Sequence, residues 1–256
     1  MKWKKNSDGS LPGAWLPGVA HSPGLGLRRG KLAFRTVDQI TRFVVHHTGV
    51  GVLKRFKRDK HRFGWGSPTD AAVHVYTRIM NAAGHYVVGY QGEVVQIVPD
   101  DFAAWHAGYG SQRRSSRMAD KFTRLWYDRR DSRKEPRWFA WNKRRYEWWQ
   151  DRWYNTKGYT SPTAWFPKLR VNDHSLGIEL VSTPGHEPFP HSQLYGGPLG
   201  PGLVGLVERL SSEYAISVDK DHVLTHSDVV PLARTTKSGR PWDPPPEKYS
   251  FQEVFG

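Results

Sequence analysis

The pattern of apolar and polar positions over residues 40–108 predicts strands that are separated by one helix. Residues 43–45 form an apolar run that indicates a buried strand. The basic run at 54–62 predicts a loop, and residues 70–81 predict a helix. Two apolar runs flank the turn Tyr90-Gln91-Gly92 and predict a hairpin over residues 86–98. Residues 40–108 are therefore predicted to form a strand, a loop, a helix and a hairpin, in that order.

The last third of the chain also alternates between strand and helix. Residues 172–181 read as an apolar strand, and residues 203–214 have the spacing of an amphipathic helix. Val223 and Leu224 read as a short strand that leads into a loop at His226. Strands that alternate with helices are typical of α/β proteins. We therefore predict an α/β fold in which helices flank a central mixed β-sheet.

Two segments differ from this alternation, one at the start of the chain and one in its middle. Residues 1–38 are rich in Gly and Pro and predict an extended N-terminal arm. Residues 39–256 then form one domain, which an insertion at 109–170 interrupts. Tryptophans in the insertion recur at intervals that fit helical faces, so we predict a basic, Trp-rich helical insertion.

The insertion carries most of the charge of the chain. It holds 17 Lys and Arg against 6 Asp and Glu, and 7 of the 12 tryptophans, in a protein of formal net charge +14. One interpretation is that the tryptophans pack the helices onto the sheet while the arginines face water. Another is that exposed indoles and cations bind sugars and anionic polymers. Basic charge interleaved with aromatic residues also suits single-stranded nucleic acid, although no recognised nucleic-acid motif occurs.

Composition sets wide limits on the class of protein. A chain of 256 residues that is 38% hydrophobic can form one sizeable core. Cysteine is absent, so no disulfide contributes and the redox compartment stays open. The basic start at residues 1–5 is followed by Pro and Gly rather than by an apolar leader. The longest uncharged run, residues 188–207, contains four Pro and five Gly, so we expect a soluble protein without a membrane span.

Three short segments supply candidate chemistry. They are the pair His46-His47 at the end of the first strand, His226 in Thr225-His226-Ser227-Asp228, and Asp243 before Pro244. Alone, each has an ordinary explanation as a packed histidine or as a turn residue. Successive strand residues face opposite sides, so at most one of His46 and His47 points into a given site. Two imidazoles and one carboxylate together are the ligands of a catalytic zinc site with an open fourth position.

The order of these segments and of the blocks between them resembles the zinc-dependent N-acetylmuramoyl-L-alanine amidase family, whose fold is shared with peptidoglycan recognition proteins. The most distinctive strings are Trp-His-Ala-Gly at 105–108 and Asn-Asp-x-Ser-x-Gly-Ile-Glu at 172–179. The resemblance covers about residues 40–108 and 171–246. Its blocks are residues 43–48, 84–88, 92–99, 104–108, 172–180 and 225–229.

The resemblance implies a role for each candidate residue. His46, His226 and Asp243 would be the zinc ligands, which leaves His47 as a neighbour. Glu179 would handle the proton of the attacking water. Its alternative is a polar residue on the wet face of a strand.

The chain departs from the family pattern at two places. Phage enzymes of the family carry a Tyr where this chain has Gly84, so the proton transfer falls to Glu179. No basic residue lies directly before Asp243, and Lys237 or Arg240 would have to stabilise the oxyanion. The alternative is that both are solvated loop charges.

Three residues of the first half are expected near the substrate. The Trp-His-Ala-Gly block lines the groove in the family, which implies that His106 binds substrate and that Trp105 forms groove wall or core. His85 opens a strand beside the site, where it either binds or supports the ligands and the packing around them.

The resemblance implies a soluble peptidoglycan hydrolase that cuts the amide bond between N-acetylmuramic acid and L-alanine with a zinc-activated water. It would act on the cell wall, in the periplasm or outside the cell, by an unknown delivery route. Its partners would be peptidoglycan or muropeptides, with anionic cell-wall polymers at residues 109–170. Two alternatives stay open, namely a non-catalytic peptidoglycan-binding module and a basic nucleic-acid-binding protein.

Overall fold

The computed structural model describes residues 13–24, 32–80, 83–107, 171–182, 188–229, 243–245 and 248–256. The predicted insertion at 109–170 lies outside the described residues, so its helices and its role stay predictions. The division into an arm at 1–38 and a domain at 39–256 also stays a prediction. Among the described residues, no helix is long and apolar enough to cross a membrane.

The described elements alternate between short strands and helices. The strands are β1 (Ala20–His21), β2 (Ala33–Phe34), β3 (Arg42–His47), β4 (Tyr86–Val88), β5 (Val94–Gln96), β6 (Phe102–Ala103), β7 (Ser175–Leu180) and β8 (Val223–Thr225). The helices are α1 (Gly49–Phe63), α2 (Pro68–His74), α3 (Val171–His174), α4 (His191–Tyr195), α5 (Gly202–Tyr214), α6 (His226–Val229) and α7 (Phe251–Phe255). A 3₁₀ turn covers Val37–Gln39, and a π-helical turn covers Val75–Ile79 directly after α2.

Six of the described strands form a mixed sheet in the order β1-β5-β4-β7-β3-β8. β3 runs parallel to both of its neighbours, and β4 runs parallel to β7 and antiparallel to β5. β1 extends the edge beside β5, while β2 and β6 form a separate antiparallel pair. The predicted α/β fold with a central mixed sheet and flanking helices is therefore confirmed.

The sheet is buried on both faces, as parallel strands usually are. Phe43 and Val45 of β3 face one cluster, which α5 covers with Leu203, Leu206 and Leu210. The opposite face carries Val87 of β4, which packs with residues of α1 and α2. Because side chains alternate along a strand, His46 lies on the face that α1 and α2 cover.

Three local predictions were wrong. Residues 172–174, predicted as strand, belong to the helix α3, and His226, predicted in a loop, begins the helix α6. The basic run at 54–62 is part of the helix α1 rather than a loop. Val52, Leu53 and Phe56 recur at helical spacing and turn toward the sheet, while most of the basic residues face outward. The predicted hairpin and the amphipathic helix α5 are confirmed. The helix predicted over 70–81 is present as α2 followed by the π-helical turn, and it ends at Ile79.

Candidate active site

The candidate site lies where three parallel strands end. His46 is near the carboxyl end of β3, and His226 follows β8 directly. Parallel neighbours end at the same edge of a sheet, so β3 and β8 bring these two imidazoles together although 180 residues separate them. Asp243 approaches from a separate segment. All three side chains are buried.

The polar atoms of these residues converge. Nδ1 of His46 lies 2.8 Å from Nδ1 of His226, and the same atom of His226 lies 2.8 Å from Oδ2 of Asp243. One atom from each of the three residues falls within 4.8 Å of the other two. The structure thus brings together the three residues that the sequence predicted as metal ligands.

The donor set fits a zinc ion. Nδ1 of His226 carries at most one proton, so it can donate a hydrogen bond to either His46 or Asp243 but not fully to both. A protonated imidazole nitrogen has no lone pair with which to accept a second hydrogen bond. A cation between His46, His226 and Asp243 would instead attract all three donor atoms. Two neutral imidazole nitrogens and one carboxylate oxygen are also the donors that zinc takes in catalytic sites.

His47 holds the carboxylate of Asp243. Its backbone N–H donates to Oδ1 of Asp243 at 3.0 Å, and its ring nitrogen Nδ1 lies 3.1 Å from the same oxygen. Burial raises the pKa of Asp243, but the hydrogen bonds from His226 and His47 more than offset it and hold that pKa well below its usual range. Asp243 is therefore an ionised donor. The sequence analysis identified His47 only as a neighbour of the ligands, and no local pattern in the sequence indicates its contact with Asp243.

His106 lies behind His46. Its Nδ1 is 2.9 Å from Nε2 of His46, and its Nε2 is 3.0 Å from Oγ of Ser175. Burial, with the charges of His226 and Arg35, lowers the pKa of His106 well below its usual range. The neutral ring is placed to orient His46, as an outer partner orients a metal ligand. Its predicted role in substrate binding stays a prediction, as does that of the half-buried Trp105.

His85 links three strands. Its Nδ1 accepts a hydrogen bond from the backbone N–H of Gly177 at 3.0 Å, and its Nε2 lies 2.8 Å from the carbonyl oxygen of Phe102 and 3.0 Å from Nη2 of Arg35. Burial and the neighbouring guanidinium of Arg35 lower the pKa of His85 well below its usual range. His85 therefore supports the sheet as a neutral residue, and its predicted contact with substrate stays a prediction.

Glu179 lies beside His46. The two residues are register partners in the parallel pair of β3 and β7, so their side chains share one face. The Glu179 side chain is buried, and burial together with the charge of Glu179 raises the pKa of Tyr76 well above its usual range. A Cβ atom at Gly84 would lie 2.7 Å from the carbonyl oxygen of Gly177 and 3.1 Å from Cγ of Glu179, so the strands pack too closely there for a side chain.

Two of the predicted site residues have no described position. Lys237 and Arg240 lie in the stretch 230–242, which is outside the described residues. Their predicted part in stabilising the oxyanion stays a prediction.

Comparisons with known proteins add the following. A family model described as N-acetylmuramoyl-L-alanine amidase matches residues 36–246. A crystal structure described as a selenomethionine derivative of AmpD is similar to the chain, with a TM-score of 0.45 and 18% sequence identity. That similarity covers 96% of this chain and 99% of the other. No curated protein matches the sequence.

Proposed function

The chain belongs to the N-acetylmuramoyl-L-alanine amidase family, and we propose that it cuts the amide bond between N-acetylmuramic acid and L-alanine in peptidoglycan. Family membership makes it an amidase of peptidoglycan, and the exact bond and the zinc dependence are our proposal. The observation that carries it is the convergence of His46, His226 and Asp243 beside the buried carboxylate of Glu179.

The three converging residues are the proposed zinc ligands. Zinc bound there would act as a Lewis acid on the scissile carbonyl and would bring the pKa of a water molecule toward neutrality. His47 keeps Asp243 oriented through two contacts, and His106 keeps the ring of His46 oriented through Nε2. Burial of the ligands excludes competing bulk water from their donor atoms.

Glu179 is the proposed general base. It shares a face with His46 and is the register partner of that ligand, so its carboxylate lies beside the proposed reaction centre. It would take a proton from the attacking water at one carboxylate oxygen and return it to the nitrogen of the leaving L-alanine. Lys237 or Arg240 would then stabilise the oxyanion with positive charge.

The proposed substrate and location follow from the same chemistry. Peptidoglycan or muropeptides would be the substrate, and the protein would act on the cell wall in the periplasm or outside the cell. The excess of basic and Trp residues at 109–170 supports a further contact with anionic cell-wall polymers.

The test is mass spectrometry of the products released from purified sacculi, with and without a zinc chelator. We expect free stem peptides that begin at L-alanine, absent with the chelator and restored by added zinc. Intact sacculi that retain the protein would instead identify a binding module. Salt-dependent binding to single-stranded DNA, with no product and no binding to sacculi, would identify a nucleic-acid-binding protein.

Two variants test the assigned roles. His46→Ala should lose both bound zinc and product release, because a ligand is removed. Glu179→Gln should retain zinc and lose turnover by about 10²–10⁴-fold, since the base is removed. Glu208→Gln makes the same change at an exposed position of α5 and should act like the wild type. Near-normal turnover of Glu179→Gln would refute the proposed base.

A further inference from the structure

The helix α1 carries a strongly basic face. Its residues 54–62 hold six Lys and Arg against a single acidic residue, Asp59. The apolar side of the helix, with Val52 and Phe56, packs in the cluster that covers the sheet. The exposed basic residues are Lys54, Lys57, Arg58, Lys60, His61 and Arg62. Cations are therefore concentrated on the side of α1 that faces water.

Three of these cations form a row along the helix, which we call the basic row. Lys54, Arg58 and Arg62 follow one another at intervals of four residues, so they share one side of α1 and lie about 6 Å apart along its axis. Like charges at this spacing destabilise a helix. The helix dipole favours cations only in the last turn, so it accounts for Arg62 but not for Lys54.

The acidic residue of α1 offsets only part of this charge. Asp59 accepts two hydrogen bonds from the guanidinium of Arg58, at 2.8 and 2.6 Å. One carboxylate neutralises one cation, and the rest of the basic face keeps its positive charge. An anionic partner that lies along the basic row would relieve the remaining repulsion.

The surroundings of the basic row favour a partner that is recognised by charge. A helix that inserts into a membrane turns its apolar side to lipid, but the apolar side of α1 is packed on the sheet. Single-stranded nucleic acid is gripped by aromatic rings as well as by cations. The ring of Phe63, at the end of α1, is already stacked on Trp65, with 5.0 Å between the ring centres. A flexible polyanion fits this face better than a bilayer or a stacked base.

The basic row also starts close to the candidate active site. α1 begins after its N-cap residue Thr48, which directly follows His47. The Thr48 hydroxyl donates to Oγ of Ser182, just beyond the end of β7, so the start of α1 lies at the edge where the parallel strands end. The 15 residues of α1 extend about 22 Å from this edge. A polymer bound along the row therefore comes close to the proposed reaction centre.

We propose that the basic row of Lys54, Arg58 and Arg62 binds a phosphodiester polymer attached to peptidoglycan, and so holds the wall beside the active site. Phosphates along the polymer lie against the cations, and the release of counterions supplies the affinity. The choice of this occupant rests on the proposed function, because an amidase of peptidoglycan meets such polymers on its substrate. The row is a surface separate from the insertion at 109–170.

The test compares two variants with the same change in net charge. Lys54→Gln/Arg62→Gln removes both ends of the basic row and keeps Arg58. Arg209→Gln/Lys220→Gln removes one Arg and one Lys from exposed positions in and after α5. Gln has nearly the helix propensity of Lys and Arg, so both variants should keep Tm within about 3 °C of the wild type.

The probe is soluble poly(glycerol phosphate), titrated at several salt concentrations. Lys54→Gln/Arg62→Gln should bind it about five-fold or more weakly at low salt, because two phosphate contacts are lost. The slope of log K against log salt should become shallower by about 1–2. The control variant should stay within about two-fold of the wild type. Equal losses in the two variants would overturn the proposal, because net charge rather than the row would then set the affinity.

Purified sacculi identify the occupant. Hydrofluoric acid cleaves phosphodiesters, so treated sacculi lose their phosphate polymers and keep their glycan and peptide. Lys54→Gln/Arg62→Gln should be retained less than the wild type on untreated sacculi and equally on treated ones. A loss of duplex DNA binding in this variant, without a loss of polymer binding, would identify nucleic acid as the occupant and overturn the proposal.

Turnover is measured separately, on a soluble muropeptide that carries no phosphate polymer. Both variants should match the wild type there within about two-fold, since the basic row acts on the polymer and not on the reacting bond. A wild-type protein that binds the polymer through the row but releases no stem peptide would overturn the proposed function and leave the binding surface. Stem-peptide release, together with equal polymer binding by the wild type and Lys54→Gln/Arg62→Gln, would overturn this inference alone.

Discussion

Two aspartates, Asp100 and Asp243, are both buried, but their pKa values are shifted in opposite directions. Burial raises the pKa of Asp100 to about 7, and the hydrogen bonds from Tyr214 and Tyr86 offset only part of that effect. For Asp243, hydrogen bonds from His226 and His47 outweigh burial, and its pKa falls well below the usual range. The difference shows that the chemical nature of the donors, more than burial, sets the charge of these carboxyl groups.

The two aspartates serve different purposes. Tyr86 donates to Asp100 at 2.7 Å, Tyr214 donates at 2.6 Å, and the side-chain amide of Gln96 donates at 3.1 Å. These neutral donors come from β4, α5 and β5, so Asp100 ties three elements together whether or not it is charged. Asp243 receives hydrogen bonds from imidazoles that themselves need a negative partner or a metal, so its charge is the property that the site requires.

Asp243→Asn tests whether the site requires the charge of Asp243, and we expect it to have the largest effect of the variants that compare the two aspartates. The amide has nearly the same shape but no charge, so the three-donor set loses its anion. We expect loss of zinc on dialysis and at least a 100-fold fall in product release, on the order of the largest effects of disturbing a metal site. Elemental analysis of the dialysed protein and product analysis from sacculi measure both effects. Full zinc retention would show that Asp243 is not a ligand.

Asp100→Asn makes the same chemical change at the other aspartate and serves as the matched control. It should retain zinc and keep turnover within about three-fold. Its amide oxygen can accept from both tyrosine hydroxyls, but its NH2 group then faces the side-chain amide of Gln96 and cannot accept from it, so the free energy of unfolding should fall by about 1–3 kcal/mol. Denaturant titration measures that change. A loss of zinc equal to that of Asp243→Asn would show that the two clusters are not separate in function.

The third test is the slope of the free energy of unfolding against pH. The pKa of Asp100 in the fold, about 7, is above its unfolded value near 4, so between these values the folded state binds more protons than the unfolded state. The contribution of Asp100 to the free energy of unfolding is therefore fully present below about pH 4 and is lost as the pH rises through 7. The slope is at most about 1.4 kcal/mol per pH unit.

Comparing the wild type with Asp100→Asn isolates this contribution, because the other titrating groups are common to both. The destabilisation caused by the variant should shrink as the pH rises from about 4 to 8. A difference that stays constant with pH would contradict the raised pKa of Asp100.

Much of the fold was predictable because its signals are local. The apolar run of β3 and the periodic spacing of α5 each specify an element without reference to the rest of the chain. The helix α1 was missed because its dense positive charge hid the apolar positions Val52, Leu53 and Phe56. Their spacing of one and three residues is the signal that identifies the helix.

The site was predictable only in part, for a physical reason. His46, His226 and Asp243 are residue types with few alternatives as zinc ligands, and the resemblance to a family placed them in order. Contacts between distant residues leave no local trace. The sequence analysis identified His47 only as a neighbour of the ligands, and it did not single out Asp100.

The position of β3 between β7 and β8 has a consequence for synthesis. Phe43 pairs with Leu176 on one side and with Val223 on the other, about 130 and 180 residues later in the chain. At about 5–20 residues per second, a ribosome leaves the second edge of this apolar strand without its partner for roughly 10–40 s. Nascent β3 is therefore a place where a chaperone would be of use. The metal ligands stay apart during the same interval, so the timing of translation itself delays the appearance of activity.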